Sequence, residues 1–417
     1  MPKLKTKAIE FWWRVKDTCD VFYHTKIAHK IRLRSIRRKG KASIVFFASN
    51  LSMWKFDELY SLFANDTRFN VNIILIPFRS YSEEQKRCDM EVLKEYFDKR
   101  DIPYLEGEDA NQFIRRSNPD ILFYPQPYYG LYEVPFAYYK HKSRLLCYIP
   151  YALFTATGWW AYNLNFHNVA WKLYYPTDMH KEDAIKQAYN RGCNVVTVGD
   201  LDYFSLYKPT GNKDVWRAQE CKKRRIIWAP HHSIAGGEMN RDSFTWMANF
   251  MITIAERYSN KIQFAFKPHP RLKTELYAHP NWGPELTEAY YNKWETMQNT
   301  QVELGEYVDL FNSSDALIHD CGSFTALYQY TNKPALFVST NIDSVKSELN
   351  DFGLQCLERH YHAKNEAEII SFIEEIVLNN QHSAKETENE IVSALTPPHG
   401  VSAAQNIYND IVKTLGI

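Results

Sequence analysis

The sequence lacks several patterns that would assign it to a common class of protein. Its seven cysteines include no C-x-x-C pair and are odd in number, so we expect neither a zinc site nor a disulfide framework. With no signal-peptide core either, this favours a reducing cytoplasm. No run of 18 or more apolar residues could cross a bilayer. The G-x-G-x-x-G and Walker A motifs are absent, which argues against dinucleotide enzymes and P-loop NTPases.

The composition is that of an ordinary folded protein. Hydrophobic residues make up 45% and charged residues 24% of the 417 positions, as in typical globular domains. Because a single hydrophobic core rarely exceeds about 250–300 residues, we expect two domains. Aromatic residues are frequent at 15%, which favours a surface that meets carbohydrate, a nucleotide base or lipid headgroups.

The first 41 residues differ in charge from the rest. They contain thirteen Lys or Arg and three acids, a net charge of +10, which leaves −9 for the remainder of a chain whose total is +1. A basic amphipathic helix followed by the basic run of residues 32–41 is typical of a membrane-surface segment. The apolar stripe of this helix is predicted from spacings of three and four: Ala8, Trp12, Val15, Cys19 and Phe22.

This segment makes an anionic membrane surface an expected partner, with the protein peripheral on the cytoplasmic face of the cell membrane. The alternative is a helix packed on the body of the protein, with its charged face in solvent. Nucleic acid is a third option, but the aromatic residues do not interleave with the basic ones as on a single-strand-binding surface. We therefore expect no nucleic-acid partner, and the oligomeric state stays open.

From residue 43 onward, apolar runs of strand length alternate with segments of helical periodicity, which predicts an α/β protein. The first cycle has predicted strands at residues 43–49, 71–78, 120–124, 145–151 and 195–199, and helices at 51–64, 83–99 and 178–190. The second has predicted strands near residues 226–230, 262–267, 316–319 and 335–338, and closing helices at 365–379 and 403–415. Two such cycles predict the GT-B type of fold, with two Rossmann-like domains facing a central cleft.

The domain boundaries follow from the same pattern. The polar stretch 208–224 contains Pro and Gly and is the best candidate linker. We predict a membrane-association segment at residues 1–41, an acceptor domain at 42–215, a nucleotide-donor domain at 216–395 and a closing helix within 396–417.

Three motifs in the second cycle carry most of the functional information. Residues 225–233, 264–271 and 314–323 each contain a short buried strand that ends in His, Lys, Asp, Ser or Gly. Ligands of open α/β sheets bind at the carboxyl ends of the strands. Imidazoles, an amine and a glycine-led helix start at these ends predict a cradle for a diphosphate, and hence a transferase that uses a nucleotide-activated donor.

Two of these motifs supply histidines. Lys267 and His269 lie in a Lys-Pro-His-Pro turn, whose prolines fix the backbone so that both side chains can be presented to a phosphate. His231 and His232 directly follow a strand. Because adjacent strand residues point to opposite faces, we expect only one of them, preferably His232, to face the site. Ser233 and the glycines at 236–237 are expected to form a phosphate-binding nest.

The third motif ends at a predicted helix start. A helix N-terminus offers free N–H groups and partial positive charge to a phosphate, here at Gly322 and Ser323. Asp320 just before it can orient a histidine or the acceptor, or cap the helix. The donor-binding candidates are His231, Ser233, Lys267, Arg271, Gly322, Ser323 and Thr325. The catalytic candidates are His232, His269 and Asp320, and the acceptor-side candidates are Ser49, Asn50 and Tyr151. We expect no metal cofactor, because the acidic residues Asp315 and Asp320 are isolated and Lys and His can neutralise a diphosphate.

These motifs resemble those of the CDP-glycerol glycerophosphotransferase family, whose members include teichoic-acid and capsule enzymes. The similarity covers roughly residues 140–340 and rests on Lys267–Pro270, Tyr307–Asp315, Leu317–Ser323 and Asn332–Phe337. The resemblance implies a GT-B fold and a CDP-glycerol or CDP-ribitol donor. It also implies a lipid-linked or polysaccharide acceptor and a phosphodiester product formed with release of CMP.

Two other functions remain open from the sequence. The family's first-domain Trp-His-Gly-Thr motif has no histidine counterpart at Ile149–Ala152. An inverting glycosyltransferase of the same fold, using a nucleotide sugar for surface polysaccharide synthesis, is therefore the main alternative. The other is a non-catalytic membrane-bound partner in polymer assembly, against which the intact Lys-Pro-His-Pro and His-Asp-x-Gly-Ser elements argue.

Overall fold

The computed structural model describes residues 18–207, 213–234, 243–305, 307–381 and 389–417. The chain divides into two compact units. The first unit comprises the described residues up to Ala152, together with Gly158–Leu201 and Thr396–Ile417. The second unit comprises the described residues of Leu153–Thr157 and Asp202–Leu395.

The first unit is built on a parallel sheet of seven strands in the order β3-β2-β1-β4-β5-β6-β7. The strands are β1 Ala42–Ala48, β2 Phe69–Leu75, β3 Tyr104–Leu105, β4 Ile121–Tyr124, β5 Leu145–Tyr148, β6 Lys172–Tyr175 and β7 Val195–Thr197. β1 reads Ala-Ser-Ile-Val-Phe-Phe-Ala and is almost completely buried, as expected for a central parallel strand covered on both faces.

The second unit is built on a parallel sheet of six strands in the order β10-β9-β8-β11-β12-β13. The strands are β8 Arg224–Ala229, β9 Ile262–Phe266, β10 Thr300–Val302, β11 Ala316–His319, β12 Ala335–Val338 and β13 Tyr361–Ala363. The expected α/β class with two parallel Rossmann-like sheets is therefore confirmed.

Helices alternate with the strands in both units. They are α1 His29–Lys39, α2 Asp57–Ala64, α3 Glu83–Asp98, α4 Gly107–Arg116, α5 Trp159–Tyr162, α6 Asn165–Val169, α7 Asp178–Gln187, α8 Tyr203–Tyr207, α9 Ser243–Arg257, α10 Leu272–Ala278, α11 Gly283–Thr296, α12 Val308–Ser313, α13 Gly322–Leu327, α14 Ile342–Ser347, α15 Asp351–Glu358, α16 Glu366–Ser371, α17 Glu390–Leu395 and α18 Ala403–Leu415. Short 3-10 segments lie at Leu51–Met53, Val134–Phe136, Tyr138–Lys140, Tyr328–Thr331 and Pro398–Gly400, and π-helical segments at Tyr23–Ala28 and Phe372–Leu378.

The closing helix α18 belongs to the first unit. Ile407 and Ile411 are fully buried in the core of that unit, together with Phe63 from α2. The chain enters this helix past Gly199, which has a φ of +85°. A Cβ at Gly199 would lie 2.3 Å from the Cα of Pro397, so only glycine allows this close backbone approach.

The basic N-terminal segment is helical from residue 18 to residue 39. Its C-terminal part packs on the first unit through buried Ala28, His29 and Ile36. Arg32 pairs with the buried carboxylate of Asp120 at 3.1 Å, and Arg37 donates hydrogen bonds to the backbone carbonyls at the end of α18. One side of this segment therefore packs on the body of the protein, as the alternative interpretation of the sequence expects.

The predicted amphipathic stripe is not confirmed. Ala8, Trp12 and Val15 lie outside the described residues, and Cys19 and Phe22 are exposed. Within the described part of the chain, no helix is long and apolar enough to span a membrane.

Candidate active site

The strand order of the second unit places the three predicted motifs side by side. β8 pairs with β9 on one side and with β11 on the other, all in parallel. Because parallel strands end at the same edge of a sheet, the residues that follow them share that edge. These residues are Pro230–Ser233 after β8, Lys267–Arg271 after β9 and Asp320–Thr325 around the start of α13.

Three imidazole rings form a cluster at this edge. The ring centroids of His231 and His232 are 4.1 Å apart, those of His232 and His269 are 4.2 Å apart, and those of His231 and His269 are 5.1 Å apart. The backbone N–H of His269 donates to the carbonyl of Pro230 at 3.0 Å, which holds the two loops together beyond the ends of their strands. We call these three residues the histidine cluster.

The expectation that only one of the adjacent histidines would reach the site is wrong. β8 ends at Ala229, and Pro230 has no N–H to continue the ladder. His231 and His232 therefore lie in a bend rather than in a strand, where side chains need not alternate between faces. Both rings contact His269. The loop at 236–237, expected to form a nest with Ser233, lies outside the described residues.

Asp320 positions the first histidine. Its carboxylate is buried and accepts hydrogen bonds from the backbone N–H of His231 at 2.6 Å and from the hydroxyl of Ser243 at 2.5 Å. The side chain of His231 is held locally, because its Nδ1 lies 2.9 Å from the hydroxyl of Ser233. Asp320 is not the cap of α13, since Cys321 is the N-cap residue. The role of Ser243 has no local sequence signal, because it lies far from Asp320 in the chain.

The histidine cluster is poorly hydrated at His269. Burial lowers the pKa of His269 to about 3, and the nearby His232 and Arg271 add to this effect by disfavouring a further positive charge. Its Nδ1 accepts a hydrogen bond from the backbone N–H of Arg271 at 3.1 Å. His269 is therefore neutral near pH 7, with an unprotonated nitrogen on one side of the ring.

The two cations of the Lys-Pro-His-Pro-Arg segment have protein partners. The ammonium group of Lys267 is buried and donates to the carbonyl of Gly305 at 2.6 Å. The exposed guanidinium of Arg271 pairs with Glu275 one turn along the chain, at 2.5 Å. A donor phosphate would therefore have to compete with these contacts for either cation.

The helix α13 starts beside the cluster, but its polar residues differ in availability. Gly322 and Ser323 are partly exposed, whereas Thr325 is buried and donates its hydroxyl to the carbonyl of Cys321 at 3.0 Å. Cys321 makes no side-chain cap to the helix. The available N–H groups are thus those of the first turn, and the Thr325 hydroxyl is used within the helix.

The acceptor-side candidates all lie in the first unit, at the carboxyl ends of β1 and β5. Ser49 is buried. Asn50 accepts hydrogen bonds from the N–H and hydroxyl of Ser52 at 2.8 and 2.6 Å, so it caps the 3-10 segment that follows. Tyr151 is partly buried, and desolvation raises the pKa of its hydroxyl. Asn50 therefore has a structural role in addition to any contact with an acceptor.

Comparison with known proteins identifies the fold. No protein-family model matches the sequence, and no curated protein matches it. Among solved structures, the S. aureus MnaA–UDP complex is similar, with a TM-score of 0.56 and 12% identity over 90% of this chain and 97% of that one. A UDP-GlcNAc 2-epimerase from Neisseria meningitidis, solved with UDP-GlcNAc, has a TM-score of 0.53 and 13% identity over 89% of this chain and 100% of that one.

A wall teichoic acid polymerase, TagF, is similar to the same degree, with a TM-score of 0.53 and 12% identity over 96% of this chain and 98% of that one. At these identities the similarity establishes the fold alone. The chain therefore has a GT-B-like fold of two Rossmann-like units, as expected from the sequence.

Proposed function

We propose that this protein is a transferase that moves glycerol phosphate, or another polyol phosphate, from a CDP-linked donor to a cell-surface glycan or lipid-linked acceptor. The observation that carries the proposal is the histidine cluster at the carboxyl ends of β8 and β9. Three imidazoles and the first turn of α13 together offer N–H donors and a neutral base, which is what a diphosphate and an acceptor hydroxyl require.

In the proposed reaction the acceptor hydroxyl attacks the phosphorus that bears the polyol. A new P–O bond to the acceptor forms while the bond from that phosphorus to the oxygen bridging it to CMP breaks, and CMP leaves with this oxygen. The hydroxyl proton passes to an imidazole of the histidine cluster. His269 and His232 are the candidates for this step, and Asp320 acts through the backbone of His231 as a positioning residue.

The pKa of His269 determines how well its ring would act as a base. An imidazole with a pKa of about 3 is a weak base at neutral pH. A bound diphosphate would add negative charge beside the ring and favour its protonated form, which raises the pKa. The binding of the donor is thus expected to raise the pKa of His269. The ring would then stay neutral in the free protein and become a stronger base when the donor is bound.

A nucleotide-sugar glycosyltransferase is the second candidate. The Neisseria epimerase with this fold was solved with UDP-GlcNAc and the S. aureus protein with UDP, which favours a uridine nucleotide for some proteins of this architecture. TagF, by its name a teichoic acid polymerase, supports the first candidate. The identity of the nucleotide distinguishes the two.

We also propose that the exposed side of the N-terminal helix binds an anionic membrane surface. Phe22, Tyr23, Ile27 and Ile31 are 60%, 50%, 42% and 58% exposed. Tyr23, Ile27 and Ile31 follow one another at intervals of four, and Phe22 is adjacent to Tyr23. Exposed basic residues run beside them at intervals of four: Lys26, Lys30, Arg34 and Arg38. An apolar column next to a basic one suits the boundary between anionic headgroups and acyl chains, and it would place the protein peripherally on the cytoplasmic face.

The reaction is tested by donor turnover. Purified protein is incubated with CDP-glycerol or UDP-GlcNAc and a glycan acceptor, and the release of CMP or UDP is measured. CMP release from CDP-glycerol alone supports the proposal, whereas UDP release alone favours the glycosyltransferase. No release from either donor, in folded protein with acceptor present, contradicts both.

A further inference from the structure

We propose that His231, His232 and His269 form a binding site for a divalent transition-metal ion of the Zn²⁺ class. One ring nitrogen from each residue can be chosen so that the three lie within 4.8 Å of one another. A zinc ion bound tetrahedrally at about 2.0–2.1 Å would hold its nitrogen ligands about 3.4 Å apart. Each pair of nitrogens would therefore close by at most about 1.4 Å, a change within reach of side-chain rotation.

The chemistry of the ligand set selects the class of ion. Neutral imidazole suits Zn²⁺, Ni²⁺, Cu²⁺ and Fe²⁺, whereas Mg²⁺ and Ca²⁺ prefer oxygen ligands. Rings packed with centroids 4.1–5.1 Å apart strongly disfavour three simultaneous positive charges. Like charges at this separation favour neutral rings, the protonation state that binds metal.

The ring of His231 is oriented by Ser233. A metal-bound histidine commonly donates its other ring N–H to an oxygen, which fixes the ring. In His231 the Nδ1 accepts the backbone N–H of Ser233 at 3.3 Å and lies 2.9 Å from the hydroxyl of the same residue. An ion at Nε2 would therefore require the ring proton to move to Nδ1 and to be donated to that hydroxyl. The buried carboxylate of Asp320, held against the backbone N–H of His231, adds a negative charge near the site.

His269 is held by the segment that follows it. Its Nδ1 accepts the backbone N–H of Arg271 at 3.1 Å, which assigns the proton of the neutral ring to Nε2. Metal binding at Nε2 requires the ring proton to move to Nδ1, and binding at Nδ1 uses the lone pair that accepts the Arg271 N–H, so either mode breaks this hydrogen bond. His269 is therefore expected to be the ligand that limits affinity.

Such a site would have a free coordination position. Three protein ligands on a tetrahedral ion leave one place for water or for an oxygen of a substrate, as in catalytic rather than structural zinc sites. In a transferase of the proposed kind this place would suit an oxygen of the donor diphosphate, and with the ion bound the acceptor proton would pass to a group other than these three ligands. The proposed metal site does not depend on which nucleotide the donor carries. The sequence did not indicate this site, because only the fold brings His269 close to His231 and His232.

The test uses full-length protein, stripped with a chelator, and the metal alone. Co²⁺ is titrated and followed by visible absorption, and the Zn²⁺ stoichiometry is measured by equilibrium dialysis. We expect one equivalent, with the intense bands of four-coordinate Co²⁺, and an affinity at least about tenfold lower in His269→Ala and His232→Ala. His279→Ala, which removes a histidine outside the cluster, should bind as the parent does.

Absence of the four-coordinate spectrum, or equal affinity in parent and His269→Ala, overturns the metal site. His269→Asn serves as a second variant if His269→Ala unfolds. Failure of metal binding leaves the proposed transferase intact if nucleotide still stabilises the protein, since the rings would then act as N–H donors to an anion. Conversely, if the protein binds the metal but no nucleotide stabilises it, the metal site is supported and the proposed function is contradicted.

Discussion

The carboxylate of Asp320 accepts the backbone N–H of His231 at 2.6 Å, and so it joins the end of β11 to the loop after β8. Its second oxygen accepts the hydroxyl of Ser243 at 2.5 Å. A buried carboxylate with these partners fixes the loop that carries two of the three clustered histidines. The arrangement of the histidine cluster thus depends on the hydrogen bonds of Asp320.

Removal of this carboxylate should destabilise the protein. In Asp320→Ala the buried hydroxyl of Ser243 and the partly buried N–H of His231 lose their acceptor. A buried donor left without an acceptor costs about 1–3 kcal/mol. Asp320→Asn keeps an acceptor for His231 and can donate to Ser243, so its loss should be smaller. Chemical denaturation measures the difference, with Ser243→Ala as the control that removes a single bond. Equal stability of parent and Asp320→Ala would contradict the positioning role.

Loss of the His269 ring should slow turnover more than it weakens donor binding. If His269 takes up the proton of the acceptor hydroxyl, His269→Ala lowers kcat by about 10²–10⁴-fold. Steady-state kinetics with the preferred donor separate kcat from KM, and His279→Ala provides the matched control. Unchanged kcat in folded His269→Ala would assign the proton to another group.

Acid should destabilise the packing of the N-terminal helix. Burial lowers the pKa of His29 to about 4, whereas an unfolded histidine has a pKa of about 6.5. The unfolded chain therefore binds the proton more readily, so the stabilising contribution is present above about pH 6.5 and is lost as the pH falls towards 4. The expected loss at His29 is at most about 3 kcal/mol.

Denaturant titrations of the parent, His29→Gln and His279→Gln between pH 7 and pH 4.5 measure this contribution. As the pH is lowered, the free energy of unfolding should decrease less steeply in His29→Gln than in the parent. The control His279→Gln should show the same decrease as the parent. Identical slopes in all three proteins would show that His29 does not titrate as its burial requires.

The exposed apolar column should carry membrane binding. Replacing Ile27 and Ile31 together by Glu removes apolar contact and adds two negative charges near the headgroups. We expect at least about a tenfold loss of binding to vesicles with anionic lipid, measured by sedimentation. Val92→Glu changes an exposed apolar residue on α3, 47% exposed, and should bind normally. Equal binding of all three proteins, or binding to neutral vesicles alone, would contradict the assignment.

The strands with strong apolar runs were predictable from sequence, and the short or polar ones were not. β1 and β11 lie where the apolar pattern indicated them. β3 has two residues, and β10 reads Thr-Gln-Val, so neither shows the apolar run of a buried strand. The helix predicted from residue 51 begins only at Asp57, because Asn50 instead caps a 3-10 segment. Tertiary pairing, rather than local pattern, decides these elements.

The site was predictable in outline because parallel strands end at one edge of a sheet. The sequence did not predict that both His231 and His232 contact His269. This contact depends on Pro230, which ends β8, so the side chains that follow do not alternate between the faces of the sheet. The engagement of Lys267 by the carbonyl of Gly305 was also not predictable, since it depends on a loop distant in the sequence.

The most direct test of the transferase proposal is the thermal stability of the protein with CDP, CMP, UDP, GDP or ADP. A nucleotide that binds only the folded protein stabilises it by about 2.7 kcal/mol at a hundredfold excess over its Kd, which raises the melting temperature measurably. The proposal predicts a selective rise with CDP or CMP. A selective rise with UDP or GDP, or no rise with any nucleotide in folded protein, would contradict it.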